Sequence, residues 1–108
     1  MDYYGDKIME FDQSDESDLR IVDCSPEALD FPKDAGQAPE KEGVYLIING
    51  DNEVAYVGIA SGTSLKSEIN ARSYFSDGKG TQSYRWFVTQ NHKGAEELGA
   101  NLIRKYCL

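Results

Sequence analysis

Side chains that hold transition metals are scarce in this chain. It contains one histidine, His92, and two cysteines, Cys24 and Cys107, which lie far apart in the sequence. A structural zinc site needs about four closely spaced Cys or His ligands, so this pattern excludes such a site. The low cysteine content also indicates free thiols in a reducing compartment rather than a disulfide framework.

A basic amino terminus and long apolar runs are also missing. The chain begins with the acidic segment Met1–Asp6, whereas a secretory signal peptide begins with a basic one. No stretch approaches the ~20 consecutive apolar residues of a transmembrane helix. We therefore expect a cytoplasmic protein that makes no membrane contact.

Basic residues are few in the first part of the chain. Residues 1–42 hold 13 Asp and Glu against 4 Lys and Arg, a charge of −9, while residues 43–108 hold 6 against 7, a charge of +1. The acidic composition predicts that residues 1–37 form a partly disordered extension, with a short strand at Leu19–Val22 and a short helix that Ser25 caps. Residues 38–108 are predicted to form the folded domain.

The strongest structural signal is a pair of apolar runs, Val44–Ile48 and Val54–Ala60, around the turn residues Asn49–Asn52. Two β-rich runs around a polar turn predict a β-hairpin. A helix, a third strand and a last helix should follow, at Leu65–Tyr74, Tyr84–Thr89 and Lys93–Tyr106. The order β-β-α-β-α predicts an α+β fold with a three-stranded antiparallel sheet flanked by helices.

The hairpin also carries two short motifs. Gly43-Val44-Tyr45 stands on the first run and Tyr56-Val57-Gly58 on the second, so that the second tyrosine comes eleven residues after the first. Tyrosine on a hairpin more often packs than reacts. However, further matches at Leu65, at Ser73-Tyr74-Phe75 and at Asn101–Tyr106 extend the pattern. Over residues 38–108 the chain resembles the GIY-YIG nucleases, in particular the N-terminal nuclease domain of the bacterial excinuclease C subunit.

The resemblance implies a chemistry and a set of residues. GIY-YIG nucleases cleave DNA phosphodiesters with one divalent metal, which implies Mg²⁺ or Mn²⁺ as cofactor, and the metal activates water and neutralises developing charge. The implied catalytic residues are Tyr45, Tyr56, Tyr74 and Arg72. The residues implied in nucleic-acid binding are Gly58, Lys66 and Arg72, and the metal ligand would be Glu96.

Several positions depart from the family pattern. The position of the metal-binding glutamate is Gly99, and the arginine position is Glu68 or Asn70, depending on which neighbouring motif is used for counting. Glu96 would replace the glutamate from the preceding turn, or it is a solvated residue of the first helical turn. Arg72 would reach the phosphate from one turn along its helix, or it pairs with Glu68. A glycine at position 99 suggests a close helix-to-strand approach, or space for a partner.

Two functions follow from these departures. The first is a GIY-YIG nuclease-like domain with a degenerate active site, which binds DNA or a DNA-processing protein in a regulatory role. Its acidic segment would then mimic nucleic acid and cover the domain's own groove or a partner's DNA site. The alternative is an active metal-dependent DNA endonuclease with a relocated carboxylate. A purely structural interaction module is a third class.

Overall fold

The computed structural model describes residues 9–74 and 82–106. These residues form five strands and two α-helices, together with two 3-10 turns at Gln13–Ser17 and Ala35–Gln37. In chain order they are β1 (Ile21–Cys24), β2 (Leu29–Phe31), β3 (Gly43–Asn49), β4 (Val54–Ala60), α1 (Leu65–Ser73), β5 (Gln82–Thr89) and α2 (His92–Lys105). The predicted α+β class and the predicted order from β3 to α2 are confirmed.

All neighbouring strands of the sheet are antiparallel. The order is β1-β5-β3-β4, and β2 pairs with β5 beside β1, along the same edge. Strands β3 and β4 form the predicted hairpin, and β3 lies between β4 and β5. Residues Gly43–Ile48 of β3 are all buried, since both faces of this strand are covered.

The prediction of three strands was wrong, because the sheet has five. The two additional strands, β1 and β2, belong to the segment that was expected to be an extension. They are short, with four and three residues, and β1 lacks the apolar alternation of a half-buried strand. Their backbone partners lie on β5, about 60 residues later in the chain, so the local sequence does not show that they join this sheet.

The helix expected after Ser25 does not form, and its residues run irregularly between β1 and β2. Ser25 is buried and, instead of capping a helix, forms hydrogen bonds with the backbone of β5. Its backbone N–H donates to the carbonyl of Trp86 at 3.0 Å, and its hydroxyl accepts from the backbone N–H of Trp86 at 3.2 Å. The preceding strand runs over Ile21–Cys24 rather than Leu19–Val22.

The two helices lie on opposite faces of the sheet. Helix α1 and the 3-10 turn Ala35–Gln37 cover one face, and α2 covers the other. The α1 face includes Tyr45, Leu65, Ile69 and Tyr84 in its core. The α2 face includes Val44, Leu46, Phe87, Leu98 and Leu102. Alternation along β3 thus sends Tyr45 to one face and its neighbours Val44 and Leu46 to the other.

Residues 9–18, here called the acidic strap, lie against the α2 face. The backbone N–H of Phe11 donates to the carbonyl of Asn52 at 2.9 Å, and the Phe11 ring packs against the α2-side core. The guanidinium of Arg85 lies 4.6 Å from the centre of this ring and pairs with Glu16 at 3.2 Å. The strap is therefore anchored by apolar packing as well as by charge.

The carboxylates of the strap pair with the end of α2. Lys105 Nζ lies 2.8 Å from Asp12 and 2.5 Å from Asp15, and the hydroxyl of Tyr106 donates to Asp15. These contacts place the described part of the acidic segment on the face away from Tyr45. The expectation that the acidic segment covers the tyrosine groove is therefore not met by residues 9–18.

Helix α2 shows the predicted apolar stripe, with Ala95, Leu98, Leu102 and Tyr106 buried. Asn91 caps its first turn by accepting from the N–H of Gly94 at 2.8 Å. In residues 9–74 and 82–106, neither helix has the length and apolar character needed to cross a membrane.

Candidate functional site

Tyr45 and Gly58, one from each motif, are direct partners across the hairpin. Tyr45 is 2% exposed, and its ring lies over the backbone of Gly58. A Cβ at position 58 would stand 2.5 Å from the Tyr45 hydroxyl oxygen, which is too close for any side chain. The glycine of the second motif is thus required because the tyrosine of the first motif occupies its space.

Tyr56 lies two residues before Gly58 and therefore on the same face of β4. Its ring centre is 6.0 Å from that of Tyr45, with 45° between the ring planes. The guanidinium carbon of Arg72 lies 3.6 Å from the centre of the Tyr56 ring. This is a close cation–π contact, and it holds the arginine over the hairpin.

Helix α1 brings Arg72 to this position. Ser64 caps the helix by accepting from the N–H of Ser67 at 3.1 Å, and the buried Leu65 and Ile69 fix its inner face. Arg72 is in the last turn. Glu68, one turn earlier, makes no ion pair with it within 4 Å. The expected pairing of Arg72 with Glu68 is therefore not seen, and the guanidinium lies over Tyr56 instead.

These residues enclose an open pocket of about 250 Å³. Its lining consists of Tyr45, Tyr56, Glu68, Ala71 and Arg72. Two phenols, one guanidinium and one carboxylate therefore converge from β3, β4 and α1. From the sequence, Glu68 was a residue at the position where the resemblance implies an arginine, or an ion-pair partner of Arg72. The four-residue spacing of Glu68 and Arg72 was the signal that both face the same way.

Burial raises the pKa of Tyr45 to about 12, and the neighbouring Tyr56 adds to the rise, whereas Arg72 opposes it. Burial acts against the charge of Arg72, but Tyr45 and Tyr56 outweigh it and the pKa of Arg72 is raised. At neutral pH the pocket therefore offers a neutral phenol and a permanent cation. Tyr45 is a hydrogen-bond donor there and a poor general base.

The other residues implied by the resemblance lie outside this pocket lining. Tyr74, just after α1, is 85% exposed, and residues 75–81, which follow it, are outside the described residues. Lys66 lies 3.9 Å from Glu40 and does not line the pocket. Gly58 makes room for Tyr45 rather than contributing a side chain.

The residues assigned to a metal do not fit one. Gly99 packs against β4, where a Cβ would stand 2.5 Å from the Cδ1 atom of Ile59, so a glutamate has no space there. Glu96 is exposed, accepts from the Ser61 hydroxyl at 2.8 Å, and does not line the pocket. Across the part of the chain that the structure describes, no three His, Cys, Asp or Glu side chains are grouped to hold a metal ion. The close helix-to-strand approach suggested by Gly99 is confirmed.

Comparison with known families gives one assignment. The family described as Domain of unknown function (DUF7508) matches residues 30–105. The chain belongs to the DUF7508 family. This match includes all but the first residue of β2, strands β3 to β5, both helices and every residue of the pocket, while the acidic strap and β1 precede it.

The chain, a DUF7508 member, is also similar to proteins named UvrABC system protein C. The protein of Methanosphaera stadtmanae is 35% identical over 86 residues, which cover 68% of this chain and 14% of the relative. That of Mycoplasma mycoides is 35% identical over 77 residues, covering 63% and 12%. That of Clostridium novyi is 35% identical over 89 residues, covering 72% and 14%. The chain thus spans only a small part of each relative, and no solved structure matches it.

Proposed function

We propose that this chain is a GIY-YIG-type domain that binds a nucleic-acid phosphate in its tyrosine–arginine pocket and lacks efficient metal-dependent cleavage. One observation carries the proposal. Tyr45, Tyr56 and Arg72 converge on a pocket of about 250 Å³, while the position of the metal ligand is Gly99, closed by Ile59. The side chains suited to phosphate binding are thus together, while the position implied for the metal ligand carries no carboxylate.

The chemistry of the pocket supports phosphate binding. Arginine binds phosphate through several N–H donors, and phenol hydroxyl groups donate to the same oxygens. Because Arg72 is held over Tyr56 at 3.6 Å, less side-chain entropy is lost when a ligand binds. The similarity to UvrABC system protein C supports a nucleic acid, in a DNA-repair setting, as the source of that phosphate.

Fluorescence anisotropy with labelled single-stranded and double-stranded oligodeoxynucleotides tests the binding. The full chain and the Arg72→Gln variant are compared in EDTA at fixed salt. Arg72→Gln should weaken binding about tenfold, since it removes a charge-assisted phosphate contact. Arg104→Gln is the matched control, because Arg104 is exposed on α2 and carries the same charge. Equal losses in the two variants would show that only the net charge matters and would contradict the proposal.

A plasmid-nicking assay tests the second half of the proposal. The full chain should leave supercoiled plasmid intact in Mg²⁺ and in Mn²⁺, under conditions in which it binds DNA. Nicking that disappears in the Tyr56→Phe variant would show that the pocket cleaves DNA and would overturn the proposal of a degenerate site.

One observation supports a second candidate, an active metal-dependent DNA endonuclease. Glu68 lines the pocket beside both tyrosines, whereas Glu96 does not, so Glu68 would be the relocated carboxylate of this candidate. This candidate predicts Mg²⁺- or Mn²⁺-dependent nicking that Glu68→Gln abolishes and Glu96→Gln preserves. Loss of nicking in both variants, or in neither, would count against it.

A further inference from the structure

Glu68 is an unexpected residue for a pocket that binds phosphate. It stands at a position where the resemblance calls for an arginine, yet it lines the pocket with Arg72. Its negative charge helps to raise the pKa of the Tyr45 hydroxyl, although burial and Tyr56 have larger effects. Any anion that binds between Tyr45 and Arg72 is therefore close to this carboxylate.

The charges of the pocket side chains cancel. Arg72 contributes one positive charge and Glu68 one negative charge, while Tyr45, whose pKa burial raises to about 12, is neutral at pH 7. A pocket with no net charge gains little from a second negative charge on its ligand. A dianion also loses more hydration than a monoanion when it enters, so its binding costs more.

Nucleic acids present phosphate in two charge states. An internal phosphodiester carries one negative charge, whereas a phosphomonoester end carries about −1.5 to −2 at pH 7. We propose that Glu68 makes the pocket selective for phosphodiesters and against phosphomonoester ends. This inference rests on the proposed function of the pocket and adds a specificity-determining residue to it.

The electrostatic effect is large enough to measure. Attraction to Arg72 would favour the extra charge of a dianion, and Glu68 offsets that attraction. A few ångströms away in a partly solvated pocket, the charge of Glu68 therefore changes the ratio of the two affinities by roughly fivefold. The chain as a whole is also acidic, at −8, and this long-range field disfavours dianions everywhere on the surface. The test must therefore separate the charge of Glu68 from the net charge of the chain.

Two probes that differ by a single methyl group serve this purpose. They are thymidine 5′-monophosphate and its methyl ester, so a dianionic monoester is compared with a monoanionic diester on the same nucleoside. Dissociation constants are measured for the full ¹⁵N-labelled chain by chemical-shift titration at pH 7.5 with EDTA. The wild type should bind the methyl ester more tightly than the monophosphate, because the dianion loses more hydration and gains no net attraction.

Glu68→Gln keeps the size of the side chain and removes its charge, so it should abolish or reverse this preference. Glu97→Gln is the matched control, because Glu97 is an exposed carboxylate on α2, across the sheet from the pocket. It should retain the preference. A preference that falls equally in the two variants would assign it to net charge and overturn the inference.

The remaining outcomes separate this inference from the proposed function. If Arg72→Gln weakens both probes but the wild type binds them equally, phosphate binding stands and selection by Glu68 is wrong. If Glu68→Gln weakens both probes alike, Glu68 is a ligand contact and the inference is again wrong. If Arg72→Gln affects neither probe, the pocket does not bind phosphate, and the proposed function fails as well.

Discussion

Single atoms decide which residues are tolerated around the pocket. Gly58 and Gly99 are both buried glycines, and in each case an added Cβ would overlap a neighbouring side chain. At position 58 that neighbour is Tyr45, which makes the glycine part of the pocket. At position 99 it is Ile59, which makes the glycine part of the helix-to-sheet packing. The same residue type thus serves two different purposes.

Gly58→Ala is expected to destabilise the protein by about 1–3 kcal/mol, the usual range for overpacking a core. The Tyr45 ring must move, since the new methyl group would stand 2.5 Å from its hydroxyl oxygen. Chemical denaturation measures the loss, and oligonucleotide binding should fall with it. Gly36→Ala is the control, because its nearest atom would be 4.0 Å away. Equal stabilities of the two variants would show that Tyr45 does not occupy the space over position 58.

Among the secondary-structure elements, the two helices have different tasks. Helix α2 buries a continuous stripe and stabilises the sheet, whereas α1 buries only Leu65 and Ile69. Helix α1 instead presents Glu68 and Arg72 to the pocket. The acidic strap packs on the same side of the sheet as α2. Its contacts with the end of α2 join residues about 90 positions apart in sequence.

Among the residues of the strap, Asp15 is the one whose substitution should destabilise the protein most. It accepts from both Lys105 and Tyr106, and its side chain is 7% exposed. Asp15→Asn should cost about 1–3 kcal/mol, because it removes a charge-assisted bond and leaves Lys105 with one carboxylate. Urea denaturation tests this value. Asp51→Asn, at an exposed position in the β3–β4 turn, is the control and should change stability by less than about 0.5 kcal/mol.

If the two variants are equally stable, the strap does not contribute to the folded core. Oligonucleotide binding provides a second comparison. Since residues 9–18 lie on the face away from the pocket, Asp15→Asn should leave that binding unchanged wherever the protein remains folded.

The complete fold is expected to be sensitive to alkali. Burial raises the pKa values of Tyr45, Tyr84 and Tyr106 to about 12, with smaller contributions from their neighbours. In the unfolded chain a tyrosine titrates near pH ~10. A group whose pKa is higher in the folded state stabilises fully below the unfolded value and loses that contribution as pH rises through the folded value. Stability should therefore fall between about pH 10 and pH 12.

Guanidinium denaturation at pH 8, 10 and 11, with tyrosinate absorbance recorded in parallel, measures this loss. Tyr84→Phe removes one of the three groups and should make the pH dependence shallower. Its hydroxyl donates to the backbone carbonyl of Asp34 at 2.6 Å, so the variant starts from a lower stability at pH 8. A stability that stays unchanged from pH 8 to pH 11 would contradict the expectation.

The sequence was informative where structure depends on near neighbours. The hairpin, its polar turn, the apolar stripe of α2 and the strand that became β5 were all recognisable from local periodicity and turn residues. The pocket was recognisable in part. Tyr45, Tyr56 and Arg72 were candidates from sequence, and they meet in the structure. Tyr74, Lys66 and Glu96 were candidates as well, but they do not line the pocket.

What depends on distant neighbours required the folded chain. Strands β1 and β2 have weak patterns and exist because the edge of β5 pairs with them. Helix spacing allowed Arg72 to pair with Glu68, whereas in the folded chain its guanidinium lies 3.6 Å from the centre of the Tyr56 ring. The sequence showed a glycine at position 99, where the resemblance implies a metal-binding glutamate. In the structure, Ile59 occupies the space that a side chain at position 99 would need. The local sequence pattern determines most of the helices and strands, whereas contacts between residues far apart in sequence determine which side chains and charges meet in the pocket.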